Sequence, residues 1–151
     1  MTVLNNIHAF NIRVYGLLYE PAYGVLTSIE PIQNEIIRKF PGGGLELGES
    51  INDCIKREFL EELNLEVEIV KQIYITDFFV ESAFKKGEQI ISIYLQVKAN
   101  SQDLSILKPV NQEITSIEWW ALDELNSELF PLPIDKFLVS QIIRERLAQE
   151  F

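Results

Sequence analysis

The chain has one cysteine, Cys54, and one histidine, His8. A single cysteine excludes an internal disulfide and makes a reducing cytoplasm the expected location. With one histidine beside it, a Cys/His zinc site is also a poor fit. No apolar run approaches the ~18 residues of a membrane-spanning helix. The opening MTVLNNIHAF lacks a basic segment followed by an apolar one, so neither a leader peptide nor membrane association is expected. Basic residues are scarce too: 13 Lys and Arg stand against 23 Asp and Glu, a net charge of −10. A protein that grips a nucleic-acid backbone needs a basic surface. Beyond Lys85-Lys86 there is no basic cluster, so nucleic-acid polymers are poor partners. A small anionic substrate stays compatible if divalent cations screen the site.

What is present suits one globular domain over residues 1–151, with 47% hydrophobic and 24% charged residues. Phe10 to Tyr19 and Tyr23 to Ile29 are β-rich runs that read as a hairpin around Glu20-Pro21-Ala22. Alternation puts Arg13, Tyr15 and Leu17 on one face, with Ile12, Val14 and Leu18 mostly on the other. Pro31 to Asn34 reads as a turn, and Glu35 to Phe40 as a short strand ending at Pro41 and three glycines. Ser50 to Leu63 has helical spacing. Ser50 is a good N-cap with Asp53 three residues on, Ile55, Phe59 and Leu63 form a buried stripe, and Asn64 suits a left-handed stop. Val67 to Ile75, Asp77 to Val80, Gln89 to Val97 and Ile114 to Trp120 read as strands, with Lys85-Lys86-Gly87 a loop between two of them. Asn100 to Asn111 reads as a loop and Ala121 to Leu125 as a helical turn. Phe130 to Pro133 reads as a linker before an amphipathic helix over Asp135 to Gln149, with Phe137, Ile142 or Ile143, and Leu147 inward. A mixed sheet with one central and one terminal helix implies an α+β layered fold.

The chemistry concentrates in Gly42 to Leu65, GGGLELGESINDCIKREFLEELNL. At about 100° per residue, Glu58, Glu61 and Glu62 fall within an arc of about 100° on one helix face. Acids at this spacing repel by roughly 0.2–0.5 kcal/mol per pair on an exposed helix. Arg57 reaches Glu61 one turn on, but one arginine cannot neutralise three acids. Hard cations such as Mg²⁺ or Mn²⁺ suit such oxygen ligands. Gly42, Gly43 and Gly44 let the backbone turn and approach a ligand closely, and their carbonyls are candidate ligands. Glu49 stands where it can hold the loop, by hydrogen bonds or through Arg57. Separately, a glutamate-rich face reads as a solvated surface and a glycine triplet as a loop.

Together, at fixed spacing, they resemble a known pattern. Gly43, five residues, Glu49, seven residues, then Arg57-Glu58-Phe59-Leu60-Glu61-Glu62-Leu63-Asn64-Leu65 is similar to the Nudix box, G-x5-E-x7-R-E-U-x-E-E-x-G-U, where U is apolar. Every charged position matches, and Asn64 replaces the usual glycine. The flanks, Phe40-Pro41-Gly42-Gly43 and Trp119-Trp120-Ala121-Leu122-Asp123-Glu124-Leu125, resemble the family as well. The resemblance implies a Nudix-type α/β/α sandwich, with a mixed β-sheet between helices. It also implies metal-dependent hydrolysis of a nucleoside diphosphate linked to another group. By position it makes Glu58, Glu61 and Glu62 metal carboxylates, Arg57 the residue that orients a box glutamate, and the Gly42 carbonyl a further ligand. It adds Glu113 as a ligand or base, against a plain loop acid. Glu58 is the first choice of base, with Glu113 and Glu81 behind it.

Arg13 and Arg38 are candidates to hold phosphates, against a surface or structural role. Tyr15 and Glu81 join them as candidate substrate contacts, although aromatics more often belong to the core. Cys54 reads as a packing residue rather than a nucleophile, and His8 as a surface residue. Of Trp119 and Trp120, one should point into the packed face of the sheet and the other away from it.

The alternative function is a sensor module that binds a nucleotide or nucleotide-sugar without cleaving it. The intact acids argue against that. An isomerase on the same fold uses different site residues, and the one cysteine, Cys54, lies inside the helix. Markers of particular substrates are missing. No proline lies in residues 66–108, no tyrosine marker stands at Ser82 or Ala83, and no coenzyme A motif precedes the box. Nucleoside triphosphates, nucleotide-sugars such as ADP-ribose, and dinucleotides all stay open. A homodimer through the N-terminal or late strands fits the fold class.

Overall fold

The structure, a computed structural model, describes residues 6–100, 104–143 and 145. Its elements in chain order are β1 (Ala9–Glu20), β2 (Gly24–Ile32), β3 (Glu35–Lys39), β4 (Gly42–Gly44), α1 (Ile51–Leu63), β5 (Val67–Ile75), β6 (Glu88–Ala99), β7 (Ser116–Trp120) and α2 (Pro133–Gln141). The strand order is β3-β2-β1-β6-β5, with β4 paired to β1 and β7 to β2. β1 and β6 run parallel, Ala9 opposite Glu88 through Leu18 opposite Val97, and the other pairs are antiparallel. This is the expected α+β sandwich built on a mixed sheet. Among the described residues no helix is long and apolar enough to cross a membrane.

Strand alternation divides the core in two. Val14 and Leu18 pack with Ile55, Phe59 and Leu63 of α1, while Tyr15 and Leu17 pack with Ile134 and Leu138 of α2. Trp119 joins the first cluster and Trp120 the second, so the adjacent tryptophans do face opposite ways, each against a core.

Helix α1 starts and stops where its sequence dictates. Ser50 is extended, and its Oγ accepts the Asp53 N–H at 3.0 Å. Asn64 takes a left-handed conformation, φ 51° and ψ 39°. Its N–H donates to the Leu60 carbonyl at 3.0 Å, and the Leu65 N–H to that of Phe59 at 3.3 Å. These bonds satisfy carbonyls that the helix end leaves open. Replacing Asn64 by alanine is expected to cost about 1 kcal/mol in urea unfolding, because alanine lacks the amide that eases this conformation. Glycine there is expected to cost nothing.

Four expectations need correction. The run Asp77 to Val80 is not a strand, and only an isolated bridge joins Glu81 to Gln89. Asp77 closes local bonds instead: its carboxylate accepts the Tyr74 hydroxyl, and its N–H donates to that hydroxyl oxygen at 3.4 Å. The glycine triplet, read as a loop, is strand β4 against Arg13, Val14 and Tyr15 of β1. Pro31 lies inside β2, and the turn is the pair Gln33-Asn34, both at positive φ, which suits a two-residue hairpin. The last helix begins at Pro133, a favoured first helical residue, not at Asp135. It buries Ile134, Leu138 and Val139, while Phe137 is half-buried against Tyr74 and Phe78. Ile143 is buried as expected, and Leu147 lies outside the described residues.

Candidate metal centre and adjoining cavity

The box is assembled around one arginine. Arg57 Nε and Nη2 clasp the Glu49 carboxylate at 3.0 and 2.7 Å. Nη2 also donates to the Gly44 carbonyl at 3.1 Å, and Nη1 to Glu58 at 3.0 Å and Glu61 at 3.2 Å. The fixed fork of a guanidinium suits such a hub, where a lysine would lose the bidentate clasp. Glu49 closes the loop on itself by accepting the Glu46 N–H at 2.9 Å, and the Arg57 bonds hold its carboxyl down at about 2. Arg57 thus ties the loop to the helix and bonds Glu58.

Glu58 and Glu62 face β4 and are buried, whereas Glu61 is turned outward with half its side chain exposed. The glycines make room for the acids. A Cβ on Gly43 would meet Glu58 Oε1 at 2.5 Å, and the Gly42 N–H donates to Glu62 Oε2 at 3.3 Å. Burial pushes the Glu62 carboxyl up to about 8, although Lys39 and the Gly42 N–H pull the other way. Burial also raises Glu58, against the Arg57 charge. Two neighbouring carboxylates taken from water without a matching cation are costly, and a hard divalent ion is the group that would relieve them. The donor set is therefore chemically suited to such an ion. Among the described residues, however, no three acid, His or Cys side chains already converge on one point.

Beyond the box, between β1, β3, β6 and the start of α2, lies a cavity of about 330 Å³. Arg13, Tyr15 and Glu81 line it, three of the four residues expected to meet substrate. Arg13 Nε donates to the Tyr15 hydroxyl at 3.2 Å, and among the described residues Arg13 has no ion-pair partner. Glu81 is exposed at the rim and accepts the Gly87 N–H at 3.3 Å.

The structure does not bring Arg38 there. Its guanidinium pairs with Glu118 at 2.8 Å, donates to the Leu129 carbonyl at 2.8 Å and lies over the Trp120 ring. Alternation on β3 gives the cavity to the next residue, Lys39, which the sequence reading missed. Placing buried Ile37 and Lys39 on one face would have found it. Glu113 is also set apart. It is exposed beside buried Ile114, outside both the Arg57 network and the cavity lining. Cys54 is buried, which pushes its thiol up to about 12, so it is a packing residue.

Sequence reading also missed Asp135, which is buried, lines the cavity and accepts the Tyr94 hydroxyl at 2.6 Å. Burial raises its carboxyl from 3.8 to about 6, against the Tyr94 bond and Lys39. A folded value above the unfolded one means that the neutral acid contributes stability in full below pH 3.8, lost as pH rises through about 6. Asp135→Asn keeps an acceptor for Tyr94 without the charge. Its melting temperature is expected to match the parent at pH 4 and exceed it by about 6–12 °C at pH 8 in thermal unfolding.

The NUDIX domain family model matches residues 12–140. The mRNA-decapping protein D10 of Fowlpox virus (strain NVSL) is 25% identical over 112 residues, 72% of this chain and 50% of that protein. The nucleoside triphosphatase NudI of Enterobacter sp. (strain 638) is 33% identical over 90 residues, 57% of this chain and 62% of that protein. The chain thus spans only about half to three-fifths of the length of these relatives. A solved NUDIX hydrolase from Nitrosomonas europaea has the same fold, with a TM-score of 0.70 at 24% identity over 93% of this chain and 90% of that one.

Proposed function

The chain belongs to the NUDIX domain family, and on that premise we propose that it is a pyrophosphohydrolase. It splits an anhydride in a nucleoside diphosphate linked to another group, with Mg²⁺ or Mn²⁺ as cofactor. The observation that carries this reading is the buried pair Glu58 and Glu62. They lie against a glycine strand without a full counter-charge, next to a cavity that offers Arg13.

Glu58, Glu61, Glu62 and the Gly42 carbonyl would hold the cation. When bound, it neutralises phosphate oxygens and makes water a better nucleophile. Glu58 accepts the proton of that water, held in place by the Arg57 Nη1 bond at 3.0 Å. Glu61 is tethered to Arg57 at 3.2 Å. Arg13, with donors to spare beyond its bond to Tyr15, holds phosphate oxygens in the fork geometry that guanidinium favours. The cavity walls take the nucleoside and keep water from the anhydride.

The test is a hydrolysis panel of nucleoside triphosphates, nucleotide-sugars including ADP-ribose, and dinucleotides, with either metal and with products separated by chromatography. Nucleoside triphosphates head the panel because the Enterobacter relative carries that name. Metal-dependent release of a nucleoside monophosphate is expected. Saturable binding without turnover would instead make the chain a sensor.

A further inference from the structure

The cavity contains a cation to which the hydrolase reading gives no task. Lys39 is the last residue of β3 and only 5% exposed. Its Nζ lies 2.6 Å from Glu30 Oε2 and 5.7 Å from the centre of the Tyr15 ring. Its charge acts on Glu58 and Glu62 of the box and on Asp135 of the cavity lining, so it stands at the junction of box and cavity. Tyr15, Glu30 and Glu62 more than offset burial, and the ammonium stays charged. An ammonium has three donors. Among the described residues Glu30 is the one ion-pair partner of Lys39, and both line the cavity. A buried lysine with donors left over, opening on a cavity beside metal-suited acids, is placed for an anionic oxygen.

We propose that Lys39 is the phosphate anchor of the cavity. Its ammonium binds a non-bridging oxygen of the phosphate nearest the nucleoside, and Glu30 is the counter-ion that partly neutralises it until that phosphate arrives. This rests on the reading of the site as a nucleotide site. It gives Lys39 and Glu30 opposite effects on one affinity, which a purely structural ion pair does not. Removing the lysine weakens phosphate binding, and removing the glutamate strengthens it.

The experiment is calorimetric binding of the 5′-monophosphates of adenosine, guanosine, cytidine and uridine, and of the four parent nucleosides, with EDTA present. The parent chain is expected to bind at least one monophosphate more tightly than its nucleoside. Lys39→Gln reduces that preference on the order of tenfold, as loss of a charge-assisted hydrogen bond does. Lys39→Arg retains most of it, and Glu30→Gln increases it about threefold, roughly half that energy. Because Lys39→Gln leaves Glu30 without its partner, the double variant Glu30→Gln/Lys39→Gln is measured beside it. It removes both charges and is expected to unfold at the temperature of the parent while binding like Lys39→Gln. An unchanged preference in the double variant, or a Glu30→Gln loss equal to that of Lys39→Gln, overturns the anchor. Either result alongside turnover in the hydrolysis panel leaves the hydrolase standing. A parent chain that neither turns over nor binds any of the eight compounds removes both.

Discussion

Glu62→Gln is expected to lower kcat by at least about 10²-fold and leave the protein as stable as the parent. Glutamine has nearly the same volume and keeps an oxygen for the Gly42 N–H, which Glu62 accepts at 3.3 Å. It loses the charge that a divalent ion requires of its ligand. No packing contact is lost, and a buried carboxylate is replaced by a neutral amide, so thermal unfolding should show no loss. Steady-state kinetics on the substrate found in the hydrolysis panel, with melting curves from the same preparations, separate the two effects. Parent-like turnover at saturating metal would remove Glu62 from the site.

Phe59→Ala is expected to do the reverse and strike stability, by roughly 3–5 kcal/mol. Phe59 is fully buried in the cluster that joins α1 to Val14, Leu18, Ile93 and Leu95. Gly16 lets the β1 backbone approach the ring so closely that a Cβ there would lie 2.4 Å from Phe59 Cε2. Truncating Phe59 leaves a space that no side chain at position 16 can fill, so the upper half of the range is expected. Small domains have about 5–15 kcal/mol of stability in all, so such a loss is a large share of it. A urea midpoint within error of the parent would show that the buried face of α1 had been misplaced.

The helix and its box were legible because their signals are local. Ser50, Asn64 and the stripe Ile55, Phe59, Leu63 each act within one or two turns, and the structure places all of them as read. The clasp of Arg57 on Glu49 was legible for a similar reason, since a short loop and the first turns of one helix bring them together. Alternation along β1 places Arg13 and Tyr15 on one face, and both line the cavity. On β3 the residue type alone points to Arg38, although the buried Ile37 shares its face with Lys39. In a strand, one residue of phase decides which side of the sheet a cation faces.

Long-range partners hid the rest. Asp135 finds Tyr94 forty-one residues away, and nothing near it in sequence marks it as buried. The glycine triplet has no side chains to signal a strand, and its pairing comes wholly from β1. Asp77 to Val80 carries two phenylalanines that suggest a strand, but Phe78 packs edge-on against Phe137 of α2 instead. Glu113 matched by spacing alone, and the burial of its neighbour Ile114 leaves it at the surface.

Binding of Mn²⁺, followed by electron paramagnetic resonance of the free ion, tests the metal centre without knowledge of the substrate. The parent protein is expected to bind Mn²⁺ saturably and release it to Mg²⁺ in competition. The double variant Glu58→Gln/Glu62→Gln, folded by its melting curve, is expected to bind at least about tenfold more weakly. Equal Mn²⁺ affinity in the parent and the double variant would contradict a metal site at these two carboxylates.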